Sequence, residues 1–112
     1  MIYSLDKINE LAEGDQDFVS SVVAVFLDEV PGDLEKLGVA VANKDYENVY
    51  QLAHKIKPNV DLLGMEQARV AALEIETLGK NSNDSGEIEK LFPLLEKDVT
   101  QVIMELKKDF SI

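Results

Sequence analysis

Residues 45–64 read DYENVYQLAHKIKPNVDLLG, and this stretch carries the clearest helical pattern in the chain. At about 100° per residue, its apolar side chains fall on one arc about 100° wide, the usual width of a helix face that packs in a core. These side chains are Val49, Leu52, Ala53, Ile56, Val60 and Leu63. His54 lies about 150° from the centre of that arc. The pattern therefore predicts a helix from Tyr46 to about Leu63 that turns His54 to solvent.

The rest of the chain shows helical spacing too, without the alternation that is typical of strands. Further helices are predicted at about residues 5–12, 16–37, 66–80 and 87–109. Ser4, Asp15 and Asp45 stand where N-caps are expected, and Gly14 and Gly64 stand where helices end. Short connections between amphipathic helices favour antiparallel neighbours. The sequence thus predicts an all-α fold, an antiparallel up-and-down four-helix bundle with a short extra N-terminal helix, formed as one domain by residues 1–112.

All three prolines lie inside predicted helices, Pro93 within the first turns of the last one. Pro31, followed by Gly32, predicts a kink or a break in the second helix, because proline lacks the backbone donor and clashes with the preceding turn. Pro58 is predicted to bend the third helix without ending it, since the apolar spacing continues through Val60 to Leu63.

The composition excludes several classes of function. Of the 112 residues, 46% are hydrophobic, which is ordinary for a globular domain. The 22 acidic residues outnumber the 11 basic ones and leave a net charge of −11, which disfavours binding to nucleic acid or to anionic membrane. The chain has no cysteine and one histidine, so cysteine chemistry and clustered-imidazole metal sites are excluded.

The N-terminus does not read as a signal peptide, and the longest apolar run, residues 22–27, is far too short to cross a bilayer. These features predict a cytoplasmic protein. No glycine-rich phosphate loop, zinc-protease motif or nucleophile elbow occurs. A catalytic kinase would need an ATP-binding domain for which this chain has no room.

His54 is the position with the most chemical promise. Lys57 follows one turn later on the same side of the helix, and Lys55 flanks the histidine. Residues 51–60 contain these two lysines and no acid, so they predict a local positive spot that suits a phosphoryl group. The alternative is an incidental surface histidine beside an ordinary solvated face.

Residues 53–64, AHKIKPNVDLLG, resemble the signature of histidine-containing phosphotransfer (HPt) domains: Ala-His-x-x-Lys, then a glycine ten residues after the histidine. Ala53, His54, Lys57 and Gly64 occupy these positions. The resemblance covers most of the chain through Gly14-Asp15-x-x-Phe18, Phe26-Leu27, Asp45 and Ile75-Glu76. One departure is Pro58, which replaces a glycine that lies under the histidine. We expect it to alter the approach of a partner without abolishing function.

The resemblance implies that His54 accepts a phosphoryl group from the aspartyl phosphate of a response-regulator receiver domain and passes it on. Lys57 would neutralise the phosphoryl oxygens, with Lys55 as a weaker second. Glu76 would orient the imidazole, or is a solvated surface residue. Gly64 would allow close packing past the end of the helix.

The same resemblance implies a phosphocarrier and not an enzyme, without a cofactor of its own. The Mg²⁺ would belong to the receiver. The expected partners are receiver domains and a hybrid histidine kinase, and the chain is expected to be a monomer. The rival hypothesis is an acidic helical adaptor that binds a basic protein without being phosphorylated.

Docking is expected to use surplus apolar surface on the second helix, whose apolar arc spans about 200°. Val23 and Leu27 lie on one edge of this arc, and Phe18 and Val25 lie on the other. We predict that the edge with Val23 and Leu27 docks the partner together with Pro58 and Gly64. The alternative is that neighbouring helices cover both edges.

Overall fold

The protein is described here by a computed structural model, which covers residues 3–82 and 86–110. Its helices are α1 (Asp6–Ala12), α2 (Gln16–Ala42), α3 (Tyr46–Leu62), α4 (Glu66–Lys80) and α5 (Glu87–Asp109). No strand occurs in these two ranges. Helix α3 packs between α2 and α4, and α5 packs against α4 and α2, which closes the bundle. Helix α1 packs on α2. The predicted four-helix bundle with an extra N-terminal helix is confirmed.

Contacts between neighbouring helices show that they run in opposite directions. Along the α2–α3 seam, Ala40 lies near the start of α3, whereas Asp33 contacts Lys55 further along it. Along the α3–α4 seam, Arg69 at the start of α4 lies 4.0 Å from Asp61, near the end of α3. The seam between α3 and α4 is the one that carries His54.

Pro31, Pro58 and Pro93 are all accommodated inside continuous helices. A break at Pro31 is wrong, because α2 runs for 27 residues through this position, and the alternative of a kink stays a prediction. Val30, Leu34 and Leu37 on either side of the proline are buried in the core, and each such burial contributes roughly 1.5–3 kcal/mol. Together these contributions outweigh the cost of about 3 kcal/mol for a proline in a helix interior. The prediction that α3 continues through Pro58 is confirmed, since α3 ends at Leu62.

The helix ends follow the predicted caps with one shift. The Asp15 carboxylate accepts hydrogen bonds from the backbone of Asp17 and Phe18 at the start of α2. Asp45 accepts one from the backbone of Asn48 in α3. The residue that precedes α1 is Leu5 and not Ser4, although the Ser4 hydroxyl still accepts a hydrogen bond from the Asp6 amide.

Gly79 sets the distance between α3 and α4. A Cβ atom at this position would lie 3.0 Å from the backbone nitrogen of Tyr50 and 3.0 Å from a methyl carbon of Val49. Backbone cannot yield as a flexible side chain can, so any larger residue would push the helices apart. Gly79 is three residues from Glu76 on the same helix, and its small size lets α4 approach α3 beside His54.

Gly79→Ala is expected to destabilise the protein, because the overpacking cost of about 1–3 kcal/mol exceeds the gain of about 1 kcal/mol in helix propensity. Gly32→Ala is the matched control, since Gly32 is also helical but a Cβ there would meet nothing within 4 Å. We expect this control to stabilise by about 0.5–1 kcal/mol. Urea unfolding measures both variants. Equal stabilisation by the two substitutions would contradict the close approach at Gly79.

Candidate functional site

His54 projects from the outer face of α3. Its side chain is 64% exposed, so the predicted orientation toward solvent is confirmed. Val49, Ala53 and Ile56, which lie around it in sequence, are fully buried. They fix the rotation of α3 and so the direction of the histidine. Tyr50, one turn earlier, stacks on the imidazole with ring centroids 6.1 Å apart and an angle of 26° between the ring planes.

Glu76 reaches the imidazole from α4. Its Oε1 lies 3.1 Å from His54 Nδ1, and its Oε2 lies 2.8 Å from the ammonium nitrogen of Lys57. One carboxylate therefore contacts the histidine and the lysine at the same time. The structure thus brings together three of the residues that the sequence singled out, two from α3 and one from α4.

The charge state of Glu76 follows from these neighbours. Burial alone would raise the pKa of this carboxyl, since its side chain is only 13% exposed. The contacts with Lys57 and His54 outweigh burial and lower the pKa below its ordinary value. Glu76 is therefore an ionised acceptor at neutral pH.

The ionised carboxylate selects one form of the imidazole. An acceptor without a proton requires a donor, so in neutral His54 the proton is on Nδ1 and the lone pair is on Nε2. Nε2 is the ring nitrogen that the contact with Glu76 leaves unengaged, on a side chain that is 64% exposed. The arrangement can therefore present a nucleophilic nitrogen to an incoming group while the opposite nitrogen is held.

The two lysines of the predicted positive spot are separated by their partners. Lys57 is paired with Glu76, whereas the Lys55 ammonium lies 3.1 Å from the carboxylate of Asp33 on α2. The positive spot seen in the sequence is therefore offset in three dimensions by one acid from each flanking helix. Lys57 belongs to the cluster around the imidazole, and Lys55 is drawn toward the seam with α2.

Asp33 and Tyr50 are neighbours of the site that the sequence reasoning missed. Among the described residues, Asp33 is the charged residue that lies buried, with 4% of its surface exposed. Its Oδ2 has no hydrogen-bond partner among these residues. Its signal was an acid set inside the apolar stripe of α2, between Val30 and Leu37. For Tyr50, the signal was an aromatic residue four positions before the histidine, which places it on the same helix face.

The predicted docking edge of α2 is corrected. Val23 is fully buried and Leu27 is half-buried, so Val23 cannot contact a partner and Leu27 can do so only in part. The other edge is free, with Phe18 41% and Val25 51% exposed. The rotation of α2 in the bundle turns the edge with Val23 into the core and leaves the edge with Val25 outside.

The exposed edge of α2 adjoins the histidine helix. Gly32 and Lys55 line one groove between α2 and α3. Val25 precedes Gly32 by seven residues, two turns along the same face of α2. Because α2 and α3 are antiparallel, this face continues past the second half of α3, beyond Lys55. The freed apolar edge is thus on the side of the bundle that carries His54.

Pro58 and Gly64 occupy different places. Pro58 is exposed one turn after His54. Gly64 follows the end of α3, about 15 Å along the helix axis from His54. Its φ is +64°, and a Cβ there would lie 3.0 Å from that of Ser4, whose amide donates to Leu63. Gly64 allows the turn and the packing of the N-terminal segment, and the structure does not bring it to the histidine.

Comparisons with known proteins identify the family to which the chain belongs. The sequence model of the Hpt domain matches residues 21–105. The chain belongs to the Hpt domain family. Hpt domains take part in histidine phosphotransfer within phosphorelays, where they interact with response regulators and hybrid kinases as carriers rather than kinases. A search of curated proteins finds no significant match.

Two solved structures share the fold of this Hpt domain. The HPT domain of an Hpt sensor hybrid histidine kinase from Shewanella has a TM-score of 0.85 at 20% identity, over 98% of this chain and 94% of that chain. Histidine-containing phosphotransfer protein B from Pseudomonas aeruginosa PAO1 has a TM-score of 0.82 at 17% identity, over 96% of this chain and 92% of that one. At these identities the likeness concerns the fold.

The described part of this Hpt domain offers neither a membrane-spanning helix nor a cluster of metal ligands. Within residues 3–82 and 86–110, no helix is long and apolar enough to cross a membrane. The same ranges contain no group of three or more His, Asp or Glu side chains that could hold a metal ion.

Glu76→Gln is expected to lower stability at pH 7 by about 1 kcal/mol. The neutral amide is attracted less strongly than the carboxylate to the Lys57 ammonium and to the Nδ1–H group of His54. The pKa of Glu76 is lowered in the folded state. Its contribution is therefore present above the ordinary carboxyl pKa and is lost as the pH falls through the lowered value. Urea unfolding at pH 7 and near pH 3 measures the difference between wild type and variant.

The control for this prediction is Glu74→Gln, an exposed position on the same helix. We expect it to change stability by less than about 0.5 kcal/mol at either pH. A Glu76→Gln variant whose deficit is as large near pH 3 as at pH 7 would show that the carboxylate charge is not what holds the cluster.

Proposed function

We propose that His54 is the phosphorylated residue of this Hpt domain and that its Nε2 is the nucleophile. The observation that carries the proposal is the contact of Nδ1 with Glu76, which leaves Nε2 unengaged on a side chain that is largely exposed. An exposed side chain on the outer face of a helix suits a group that must enter the active site of another protein.

The transfer step exchanges one bond for another. Nε2 attacks the phosphorus of an aspartyl phosphate on a receiver domain, the bond from phosphorus to the aspartyl oxygen breaks, and the aspartate leaves as a carboxylate. The Nδ1 proton stays on the ring, and the positive charge that develops on the imidazole faces the Glu76 carboxylate. Such transfers depend on in-line geometry and charge neutralisation more than on covalent machinery.

Lys57 supplies the cation nearest to this step. It is one turn from His54 on the same side of α3, and the carboxylate that it contacts also contacts the imidazole. In the phosphorylated protein, its ammonium would face the phosphoryl oxygens. Lys55 would act as a weaker second cation, because its pairing with Asp33 directs it toward α2.

The proposed partners are response-regulator receiver domains and a hybrid histidine kinase, which bring their own Mg²⁺ and ATP chemistry. The chain itself would need no cofactor and would act as a cytoplasmic monomer. A receiver would cover His54 and Pro58 and extend over the exposed edge of α2, with Phe18 and Val25 as its apolar contacts.

His54→Gln is expected to abolish phosphorylation while leaving the fold intact, because an exposed side chain contributes little to stability. The measurement is transfer of radiolabel from phosphorylated receiver domains of the same organism, with acid-labile and base-stable label expected on the wild type alone. Circular dichroism and urea unfolding check the fold of the variant. Label on His54→Gln would show that the site is misassigned.

Lys57→Ala is expected to slow the transfer without abolishing it. A lost charge-assisted hydrogen bond of roughly 1.5–3 kcal/mol corresponds to about a ten- to hundredfold lower rate if it acts fully in the transition state. Lys55→Ala is the comparison, and we expect a smaller decrease. Rapid-quench kinetics gives both rates. A larger effect at Lys55 than at Lys57 would reverse the roles of the two lysines.

Val25→Asp is expected to weaken docking of the receiver and to raise the receiver concentration needed for half-maximal transfer by about tenfold or more, the effect of about 1.4 kcal/mol. Met104→Asp, at a 68% exposed position on α5, introduces the same charge elsewhere. This control should leave transfer unchanged. If both variants dock as wild type does, the α2 edge is not part of the interface.

Failure of every receiver from the organism to label the wild type would favour the rival hypothesis of an acidic adaptor. In that case the chain would bind a basic partner through its charged faces, and His54 would be an incidental surface residue.

A further inference from the structure

A second apolar surface lies between α4 and α5. We call it the α4–α5 groove, and its apolar lining consists of Val70 and Ala71 from α4 and Leu91 and Leu94 from α5. Val70 is 38% exposed and Leu94 is 58% exposed. Both are large apolar side chains that line one open groove.

The groove faces away from the phosphotransfer site. Glu74 lines the groove, and it lies two residues from Glu76, which is about 160° around the helix. Val70 is about 120° around the helix from Glu76 by the same measure. A receiver that covers His54 would therefore leave the α4–α5 groove open.

The charges around the groove are mainly negative. Glu66, Glu74 and Asp98 line it together with a single ammonium, that of Lys97, and Glu66 is already paired with Arg69 on the same helix. The hydrogen bond from Arg69 lowers the pKa of Glu66, so this carboxyl is ionised at neutral pH. These local charges have the same sign as the net charge of −11 of the whole chain.

Charge decides between the candidate occupants. A second copy of the chain would bring two acidic surfaces together, and an anionic membrane would be repelled for the same reason. The matching surface is apolar at its centre and basic at its edges. A segment with an apolar stripe and flanking Lys or Arg side chains has this character.

The dimensions of the groove fit a helix. Its lining extends from Glu66 to Glu74 on α4, about 12 Å, and from Leu91 to Asp98 on α5, about 10 Å. Two turns of a bound helix would present apolar anchors at i, i+3 or i+4, and i+7 over this length.

We propose that the α4–α5 groove binds an amphipathic helix of a partner protein, whose apolar side chains contact Val70 and Leu94 and whose basic side chains face Glu74 and Asp98. This binding would leave His54 accessible. The Hpt domain could then be tethered to one protein while it exchanges a phosphoryl group with another.

A synthetic helical peptide of about 14 residues tests the proposal, with Leu at i, i+3, i+4 and i+7 spacing and Lys at the flanking positions. Fluorescence anisotropy at about 0.15 M salt, which screens diffuse attraction between exposed charges, measures its binding to the full chain. We expect saturable one-to-one binding. A peptide with the same Leu residues and Glu in place of Lys should bind at least about tenfold more weakly.

Leu94→Asp is the decisive variant. It adds an acid, which would strengthen a purely electrostatic attraction, yet we expect it to weaken binding of the Lys peptide by about tenfold or more because it removes an apolar contact. Met104→Asp adds the same charge on α5 outside the groove and should leave binding unchanged. Equal affinities of the two variants, or no saturable binding to the wild type, would overturn the proposal.

Two further readouts separate the remaining outcomes. Self-association in sedimentation experiments that Leu94→Asp abolishes would assign the groove to a second copy and overturn the proposal. Leu94→Asp should accept label from a phosphorylated receiver at the wild-type rate. His54→Gln tests labelling and Leu94→Asp tests peptide binding. A failure of the proposed phosphotransfer site is thus distinguished from a failure of the proposed groove.

Discussion

The carboxylate of Glu76 on α4 contacts two side chains of α3 and so joins the two helices that form the candidate site of this Hpt domain. It engages the imidazole of His54 with one oxygen and the ammonium of Lys57 with the other. The acids of α3, Glu47 and Asp61, each lie seven residues from His54, so the acid that contacts both groups comes from a different helix. The contact therefore depends on the distance between α3 and α4. Gly79 keeps it small, since any Cβ there would meet the backbone of α3.

The remainder of the bundle holds that geometry in place. Ala53, Ile56 and Val60 anchor α3 in the core, and Ala72 and Ile75 anchor α4 beside it. With both helices fixed in rotation, His54 and Glu76 can face each other without a loop to position them. Sites built on packed helices are held more precisely than sites on loops. A carrier with so few chemical groups depends on this precision.

The sequence predicts those features that depend on local spacing. The buried face of α3, the exposure of His54, and the bounds of α4 and α5 all follow from helical periodicity and end signals. The resemblance to HPt domains supplied Glu76, which periodicity alone could not connect to a histidine 22 positions earlier. Family membership agrees with that resemblance.

The features that the sequence did not predict depend on how neighbouring helices are rotated. The width of the apolar arc on α2 shows that one edge is in surplus, but not that Val23 enters the core while Val25 stays outside. The pairing of Lys55 with Asp33 arises where two antiparallel helices meet. Continuity of α2 through Pro31 reflects burial on both sides of the proline, a term that a local rule for helix breakers omits.

The pairing of Lys57 with Glu76 has a consequence for the thermodynamics of a relay. An intermediate that holds its cargo too tightly becomes a sink, and one that holds it too weakly is never loaded. If His54 carries the phosphoryl group as we propose, the arriving group meets a lysine that is already paired with Glu76, and it must compete with this carboxylate for the ammonium. Part of the electrostatic gain of loading would then be cancelled by the contact that loading disrupts. The phosphorylated and unphosphorylated forms of His54 would thereby lie closer in free energy, so that the difference between donor and acceptor receivers would determine the direction of flow.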